Sequence, residues 1–95
     1  MAQKLSGKIA LITGASSGIG RAMAHTLAAE GVKLVLVGRS NERLQAVAKK
    51  LGTVESLVLP ADLTKPADVE QVALDSLARF GRIDILLANA GLYIP

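Results

Sequence analysis

Short apolar runs alternate along this chain with segments in which apolar residues recur every three or four positions. The runs predict strands at about residues 8–13, 33–38, 54–59 and 83–88. The periodic segments predict helices at about residues 18–30 and 41–51, and a third from near Thr64 to Phe80. The chain therefore repeats one unit, in which a strand is followed by a turn and an amphipathic helix.

Helix start and stop signals support these assignments. Glycine follows the last apolar position of each helical segment, where a left-handed C-cap residue is expected, at Gly31, Gly52 and Gly81. Ser40 is a candidate N-cap of the second helix, and Pro66 falls in the first turn of the third. The predicted inward faces are Ile19, Ala22, Met23, Thr26 and Leu27, then Leu44, Val47 and Leu51, then Val69, Val72, Ala73, Leu77 and Phe80.

Strands that alternate with helices of this length cross over in a right-handed sense and pair in parallel. The sequence therefore predicts an α/β fold with a doubly wound parallel sheet. If a phosphate-binding turn follows strand one, the strand order is 3-2-1-4. A cleft is expected where strand one meets strand four. We see no linker or low-complexity segment, so residues 1–95 are interpreted as one unit.

A glycine-rich turn, residues 13–20 with the sequence TGASSGIG, lies between the first strand and the first helix. Gly14 lets the chain turn out of the strand, Gly18 lets the backbone approach a pyrophosphate, and Gly20 lets the helix pack close to the sheet. The helix N-terminus offers unpaired N–H groups and a partial positive charge to phosphates. This pattern predicts a dinucleotide phosphate site.

Composition excludes several other classes of protein. Hydrophobic residues make up 51% of the chain but aromatic residues only 2%, which is typical of a parallel sheet built from aliphatic residues. The net charge is +3, yet the basic residues are scattered, which argues against a nucleic-acid partner. The absence of cysteine excludes disulfides and thiolate metal sites. With no apolar run long enough for a membrane span or a signal peptide, we expect a soluble, cytoplasmic protein without a metal.

Four separated segments resemble the short-chain dehydrogenase/reductase family, and they occur in the family's order: residues 13–20, 38–40, 62–63 and 88–91. The resemblance covers essentially the whole chain, as the N-terminal part of such a subunit. It implies a Rossmann-type dinucleotide-binding half and an oxidoreductase that transfers a hydride between a nicotinamide cofactor and a carbonyl or secondary alcohol. It also implies a homo-oligomeric parent enzyme, a dimer or a tetramer.

The resemblance implies a cofactor site formed by Gly14, Ser16, Ser17, Gly18, Ile19, Gly20, Arg39, Ser40, Asp62, Leu63, Asn89, Ala90 and Gly91. Arg39 leaves strand two where an acidic residue would hold the ribose hydroxyls of NAD, so a 2′-phosphate and NADP are preferred, with NAD possible. Ser17 stands where phosphate-preferring members often have a basic residue. The alternative interpretation of Arg39 is a solvated surface residue.

Asp62 resembles the family's acidic residue that holds the adenine amino group, with Leu63 beside it. The alternative is a carboxylate that favours the start of the third helix through the helix dipole. In the family, Asn89 braces the sheet while the backbone of Ala90 and Gly91 lies along the cofactor ribose. Ala88 replaces the first Asn of that motif.

No catalytic residue is predicted in this chain. His25, its only histidine, lies beside the predicted apolar stripe and is expected to face solvent. The family's catalytic tyrosine has a lysine four positions later, and Tyr93 is followed only by Ile94 and Pro95. We therefore expect an inactive N-terminal fragment of a larger enzyme. The alternative is a non-catalytic half-fold that binds dinucleotide weakly or self-associates through the edge of strand four.

Overall fold

A four-stranded parallel sheet organises residues 4–88, the part of the chain described by this computed structural model. The strands are β1 (Ile9–Thr13), β2 (Lys33–Gly38), β3 (Ser56–Pro60) and β4 (Ile85–Leu87). The helices are α1 (Gly18–Ala29), α2 (Asn41–Lys49) and α3 (Pro66–Phe80). The strands lie in the order β3-β2-β1-β4, so the predicted fold class and strand order are confirmed.

The connections between the strands place the helices on both faces of the sheet. The chain moves from β1 to β2 and on to β3 in one direction, so right-handed crossovers put α1 and α2 on the same face. After β3 the chain returns past β2 and β1 to β4, which puts α3 on the opposite face. This reversal between β1 and β4 is the switch point at which parallel sheets of this kind bind ligands.

Alternate strand residues form two separate cores. Ala10, Ile12, Leu34 and Leu36 point toward α1 and α2, where they pack with Leu44 and Val47 among others. Leu11, Val35 and Val37 point the other way and pack with Val72 of α3. All five residues of β1 are buried because helices cover both faces of this strand.

The predicted inward face of α1 is wrong in part. Ile19 is 71% exposed and Ala22 and Thr26 are exposed, whereas Leu27 is buried and Met23 half-buried. The helix instead buries Gly20, Ala24, Leu27 and Ala28. Three of these four residues, Gly20, Ala24 and Ala28, are small and let the helix axis lie close to the sheet, so packing distance as well as side-chain size selects the inward face.

The predicted face of α3 is also wrong in part, while that of α2 is confirmed by the buried Leu44, Val47 and Leu51. In α3, Val69 and Leu77 are each 47% exposed, and only Val72 and Ser76 are buried. The Ser76 hydroxyl donates to the Val72 carbonyl over 2.7 Å, which satisfies it inside the helix. A polar residue can therefore take a core position that hydrophobic periodicity assigns to a neighbour.

The ends of two strands differ from the prediction. Ladder pairing in β3 begins at Ser56 and runs to Pro60, whose missing N–H is tolerated because β3 is an edge strand. β4 is limited to three residues. Just before β4, the Asp84 backbone N–H donates to the Ile9 carbonyl, and the Asp84 Oδ2 atom accepts from the Ile9 N–H at 2.9 Å. A side-chain hydrogen bond therefore takes the place of a backbone bond of the strand ladder at this position.

Candidate functional site

The glycine turn joins β1 to α1 at the carboxyl end of the sheet. Gly14 and Gly18 have φ values of 62° and 57°, in the left-handed region that favours glycine. The Ala15 N–H donates to the Val37 carbonyl over 3.1 Å, which fixes the turn against the end of β2. An ideal Cβ placed on Gly18 would meet no atom within 4 Å, so the space beside its backbone is open.

The N-terminus of α1 has no side-chain cap. Ser17 is the N-cap residue, with extended backbone, but its hydroxyl makes no capping hydrogen bond and the first turn contains no acidic residue. The first backbone bond of the helix runs from the Arg21 N–H to the Ser17 carbonyl at 3.3 Å. The amide dipoles at this end are therefore available to an anion.

Arg39 and Asp62, two residues predicted to bind the cofactor, lie together at the ends of β2 and β3. The Arg39 Nη2 atom is 3.6 Å from Asp62 Oδ1, and the Arg39 side chain is 74% exposed. The Ala61 N–H donates to the Gly38 carbonyl over 2.8 Å and holds the two strand ends side by side. The sequence analysis did not predict that these two charges pair across the strands.

Local contacts fix the Asp62 carboxylate. Its Oδ1 atom accepts from the Thr64 hydroxyl at 2.6 Å and from the Thr64 N–H at 3.0 Å. These two hydrogen bonds, together with nearby Arg39, lower the pKa of Asp62 from its ordinary value. The contacts fit the structural interpretation of Asp62 as a turn residue ahead of α3, although the N-cap itself is Lys65. A contact with adenine stays a prediction for Asp62, as it does for half-buried Leu63.

Ser40 performs its predicted capping role. Its Oγ atom accepts from the Arg43 N–H at 3.2 Å at the start of α2. The hydroxyl keeps its own hydrogen as a donor. The remaining predicted residues, Asn89, Ala90 and Gly91, lie outside the described residues, as does Tyr93.

A cleft of about 400 Å³ extends from the glycine turn into the space between α1 and α2, and we call it the α1–α2 cleft. Its walls include Ser16 and Ser17 of the turn, and the chemically active side chains along it are Arg21, His25, Arg43 and Lys50. His25 is exposed, as expected. Sequence reasoning missed the arginines. The sequence feature that could have identified them is their spacing, because each arginine lies about one helical turn after a serine predicted to belong to the site.

The family model of short chain dehydrogenases matches residues 8–95, which contain the glycine turn and every strand of the sheet. The chain belongs to the short-chain dehydrogenase family. Dehydrogenases of different kinds align with nearly all of it. A 1,6-dihydroxycyclohexa-2,4-diene-1-carboxylate dehydrogenase of Pseudomonas putida is 45% identical over 91 residues, which are 96% of this chain and 34% of that protein. An 11-beta-hydroxysteroid dehydrogenase 1A of Arabidopsis thaliana is 42% identical over 93 residues, or 95% of this chain and 27% of that protein.

Solved structures of reductases share the fold. L-sorbose reductase from Gluconobacter frateurii, complexed with NADPH and L-sorbose, matches with a TM-score of 0.92 and 42% identity over 97% of this chain and 36% of that one. A 3-ketoacyl-(acyl-carrier-protein) reductase from Brucella melitensis, complexed with NADH, matches with a TM-score of 0.82 and 43% identity. This match covers 87% of this chain and 34% of that one. This chain therefore spans about a third of the length of such proteins.

Two further properties concern residues 4–88 of this short-chain dehydrogenase chain. None of their helices is both long and apolar enough to cross a bilayer. No group of three or more His, Cys, Asp or Glu side chains is placed to hold a metal ion in this range.

Proposed function

We propose that this chain is the adenosine- and pyrophosphate-binding part of an NADP-preferring oxidoreductase. Such an enzyme transfers a hydride between the nicotinamide and a small carbonyl or secondary alcohol substrate. The observation that carries the proposal is the uncapped N-terminus of α1, which follows a turn whose Gly18 backbone is open to an approaching group. The solved relatives with NADPH and NADH support the same cofactor class.

The residues present fit a dinucleotide. Gly14 and Gly18 form a turn without side chains, and the amides at the start of α1 point to where a pyrophosphate would lie. Ser16 and Ser17 offer hydroxyls beside it. In this proposal Asn89, Ala90 and Gly91 also border the cofactor. When bound, the nicotinamide supplies or accepts the hydride, and the residues of this chain bind and orient the other end of the molecule.

The preference for NADP rests on Arg39 at the end of β2. Its pairing with Asp62 does not prevent a contact with phosphate, because an exposed ion pair of this kind is weak and the guanidinium is 74% exposed. A charged hydrogen bond contributes about 1.5–3 kcal/mol, and about 1.4 kcal/mol corresponds to a tenfold change in affinity. Arg39 is therefore expected to favour NADP over NAD by about ten- to hundredfold.

The test is a calorimetric titration of NADP and NAD into the wild-type protein and the Arg39→Asp variant. We expect the variant to lose NADP affinity by about ten- to hundredfold and to gain affinity for NAD, because a carboxylate accepts hydrogen bonds from the ribose hydroxyls. Lys49→Asp, at an exposed position of α2, makes the same charge change and controls for net charge. An unchanged ratio of the two affinities in Arg39→Asp would refute the preference.

The alternative is a non-catalytic half-fold that binds dinucleotide weakly or self-associates through the edge of β4, and the strength and preference of cofactor binding distinguish it from the proposal. The sequence contains no tyrosine followed four positions later by lysine, so we expect the 95-residue chain to bind cofactor without turnover. Cofactor binding with the predicted preference supports the oxidoreductase proposal for the protein that contains this chain. Failure to bind either dinucleotide favours the alternative.

A further inference from the structure

The segment that joins β3 to α3 is fixed by backbone hydrogen bonds at both of its ends. At its start the Ala61 N–H donates to the Gly38 carbonyl over 2.8 Å, and at its end the Lys65 N–H donates to the Asp62 carbonyl over 3.0 Å. β3 ends at Pro60, so the pairing of the strands does not extend to the residues that follow Ala61. Other contacts must therefore set the position of Asp62.

Asp68, in the first turn of α3, holds the backbone of Asp62. Its Oδ2 atom accepts from the Asp62 N–H at 2.8 Å, six positions back along the chain. Asp68 is half-buried, and its own N–H donates to the Lys65 carbonyl over 3.0 Å, so the helix fixes the carboxylate that makes this contact. A hydrogen bond to an ionised acceptor is shorter and stronger than one between neutral groups. The position of Asp62 therefore depends on α3.

Helix capping alone does not account for this contact. An acidic residue in the first turn ordinarily stabilises the free amides and the dipole of its own helix. Asp68 instead reaches out of the helix to Asp62, and the N-cap residue, Lys65, makes no side-chain capping bond. The Asp68 carboxylate therefore orders the segment that precedes the helix.

The Asp62 carboxylate has one occupied oxygen and one open oxygen. Thr64 donates its hydroxyl and its N–H to Oδ1 at 2.6 and 3.0 Å, and the Arg39 Nη2 atom is 3.6 Å from the same oxygen. Within residues 4–88 no hydrogen bond reaches Asp62 Oδ2, and the side chain is 31% exposed. An ionised carboxylate is an acceptor on both oxygens, so Oδ2 is available to a donor from outside the protein.

Leu63, between Asp62 and Thr64, has an open backbone donor. Its N–H forms no hydrogen bond in the described part of the chain, while the residues on both sides of it are held by the contacts above. Adjacent residues thus offer one acceptor, Asp62 Oδ2, and one donor, the Leu63 N–H. Adenine carries the complementary groups, an amino group that donates and a neighbouring ring nitrogen that accepts.

We propose that Asp68 is a positioning residue for adenine recognition, because it holds in place the two residues, Asp62 and Leu63, that carry this acceptor and this donor. The proposal rests on the cofactor-binding function proposed above. Asp68 acts through Asp62 and does not touch the base. Its removal is expected to weaken the contact with the adenine amino group and to leave the contacts with the ribose and the phosphates in place.

The test is a calorimetric titration of NADP and of its hypoxanthine analogue, in which an oxygen replaces the adenine amino group. We expect the wild-type protein to bind NADP more tightly than the analogue by about tenfold or more, because the analogue has no amino donor for the charged Asp62. Asp62→Ala removes the acceptor and is expected to abolish most of this preference. Asp68→Ala is expected to lower the preference by about two- to tenfold, the net contribution of one hydrogen bond.

Three further variants separate positioning from a general loss of structure. Asp68→Asn keeps an oxygen that accepts the Asp62 N–H, so it is expected to keep the wild-type preference. The double variant Asp62→Ala/Asp68→Ala is expected to match Asp62→Ala, because Asp68 acts through Asp62. Asp75→Ala is the matched control, because it removes the same charge from the same helix together with the hydrogen bond that Asp75 accepts from Gln71 at 2.8 Å. We expect this control to keep the wild-type preference.

The ratio of the two affinities separates this inference from the proposed function. If NADP binds but Asp68→Ala weakens both dinucleotides equally, or neither, the inference is wrong and the function stands. The same conclusion follows if the wild-type protein binds NADP and its analogue equally well. An equal loss of preference in Asp75→Ala and Asp68→Ala would also overturn the inference, since the effect would be general to α3. If neither dinucleotide binds to the wild-type protein, the function and the inference are both wrong.

Discussion

Replacement of Gly18 by alanine separates the conformational role of this residue from its proposed role in phosphate binding. Gly18 has a φ of 57°, and an added Cβ would meet no protein atom within 4 Å. Gly52, after α2, has a φ of 87° and is equally open. Gly52→Ala is therefore a control that places alanine in the same left-handed backbone region at a position outside the candidate site.

The stability cost of the two changes follows from their backbone angles. An L-residue in the left-handed region costs about 1–2 kcal/mol. Alanine also lowers the conformational entropy of the unfolded chain, and this stabilises the folded state by about 0.4–1 kcal/mol relative to glycine. Each variant is therefore expected to lose about 1 kcal/mol of unfolding free energy, which lowers the melting temperature by about 4–8 °C for a domain of this size.

Only Gly18→Ala is expected to weaken cofactor binding. Its new methyl group occupies the open space through which a pyrophosphate would approach the backbone amides of α1. Loss of one charged hydrogen bond there, about 1.5–3 kcal/mol, weakens NADP and NAD alike by about ten- to hundredfold.

Thermal unfolding followed by circular dichroism measures the first effect, and calorimetric titration of both dinucleotides below the melting temperature measures the second. Gly52→Ala is expected to have a lower melting temperature than the wild-type protein but to bind both dinucleotides with the wild-type affinities. Equal dinucleotide affinities for Gly18→Ala and Gly52→Ala would show that the open space at Gly18 does not receive the phosphates.

Three other predictions follow from the packing. The Ile9 N–H bound to Asp84 lowers the pKa of this carboxyl below its ordinary value of 3.8, so its stabilising effect is complete above that pH and is lost as the pH falls through the lower value in the folded protein. Asp84→Asn should therefore destabilise the protein at neutral pH and flatten the acid limb of its stability curve, and parallel curves from denaturant titrations at several pH values would contradict this. Leu36→Ala, at a fully buried position, should cost about 2–5 kcal/mol of unfolding free energy, whereas Leu74→Ala, at a residue that is 57% exposed, should cost less than about 0.5 kcal/mol; equal costs would argue against the core assignment. The 95-residue chain should self-associate through the β4 edge, where Leu86 is 64% exposed, and sedimentation velocity showing a single monomer species would disprove it.

The candidate site was predictable in its local parts. The glycine turn, Ser40 as a cap and the position of Arg39 after β2 all depend on a few neighbouring residues, and each lies where the spacing placed it. Arg21 and Arg43 were not found this way. They are 22 positions apart on different helices, and only the packing of α1 beside α2 brings them to one cleft.

The sequence by itself determined the element order, the parallel sheet and the β3-β2-β1-β4 arrangement. Periodicity and glycine C-caps predict the elements and the handedness of crossovers predicts a parallel sheet, while the phosphate turn after the first strand is what favours this strand order over others that obey the same rules. Only the tertiary structure decided which face of each helix is buried. In α1 the sheet accepts the small Gly20 and Ala24 and leaves Ile19 in solvent, because close approach of the backbones outweighs the burial of one large side chain. The same packing decided which polar groups meet. It pairs Arg39 with Asp62 and places the Asp84 carboxylate on the Ile9 N–H, in each case across strands that are remote in sequence.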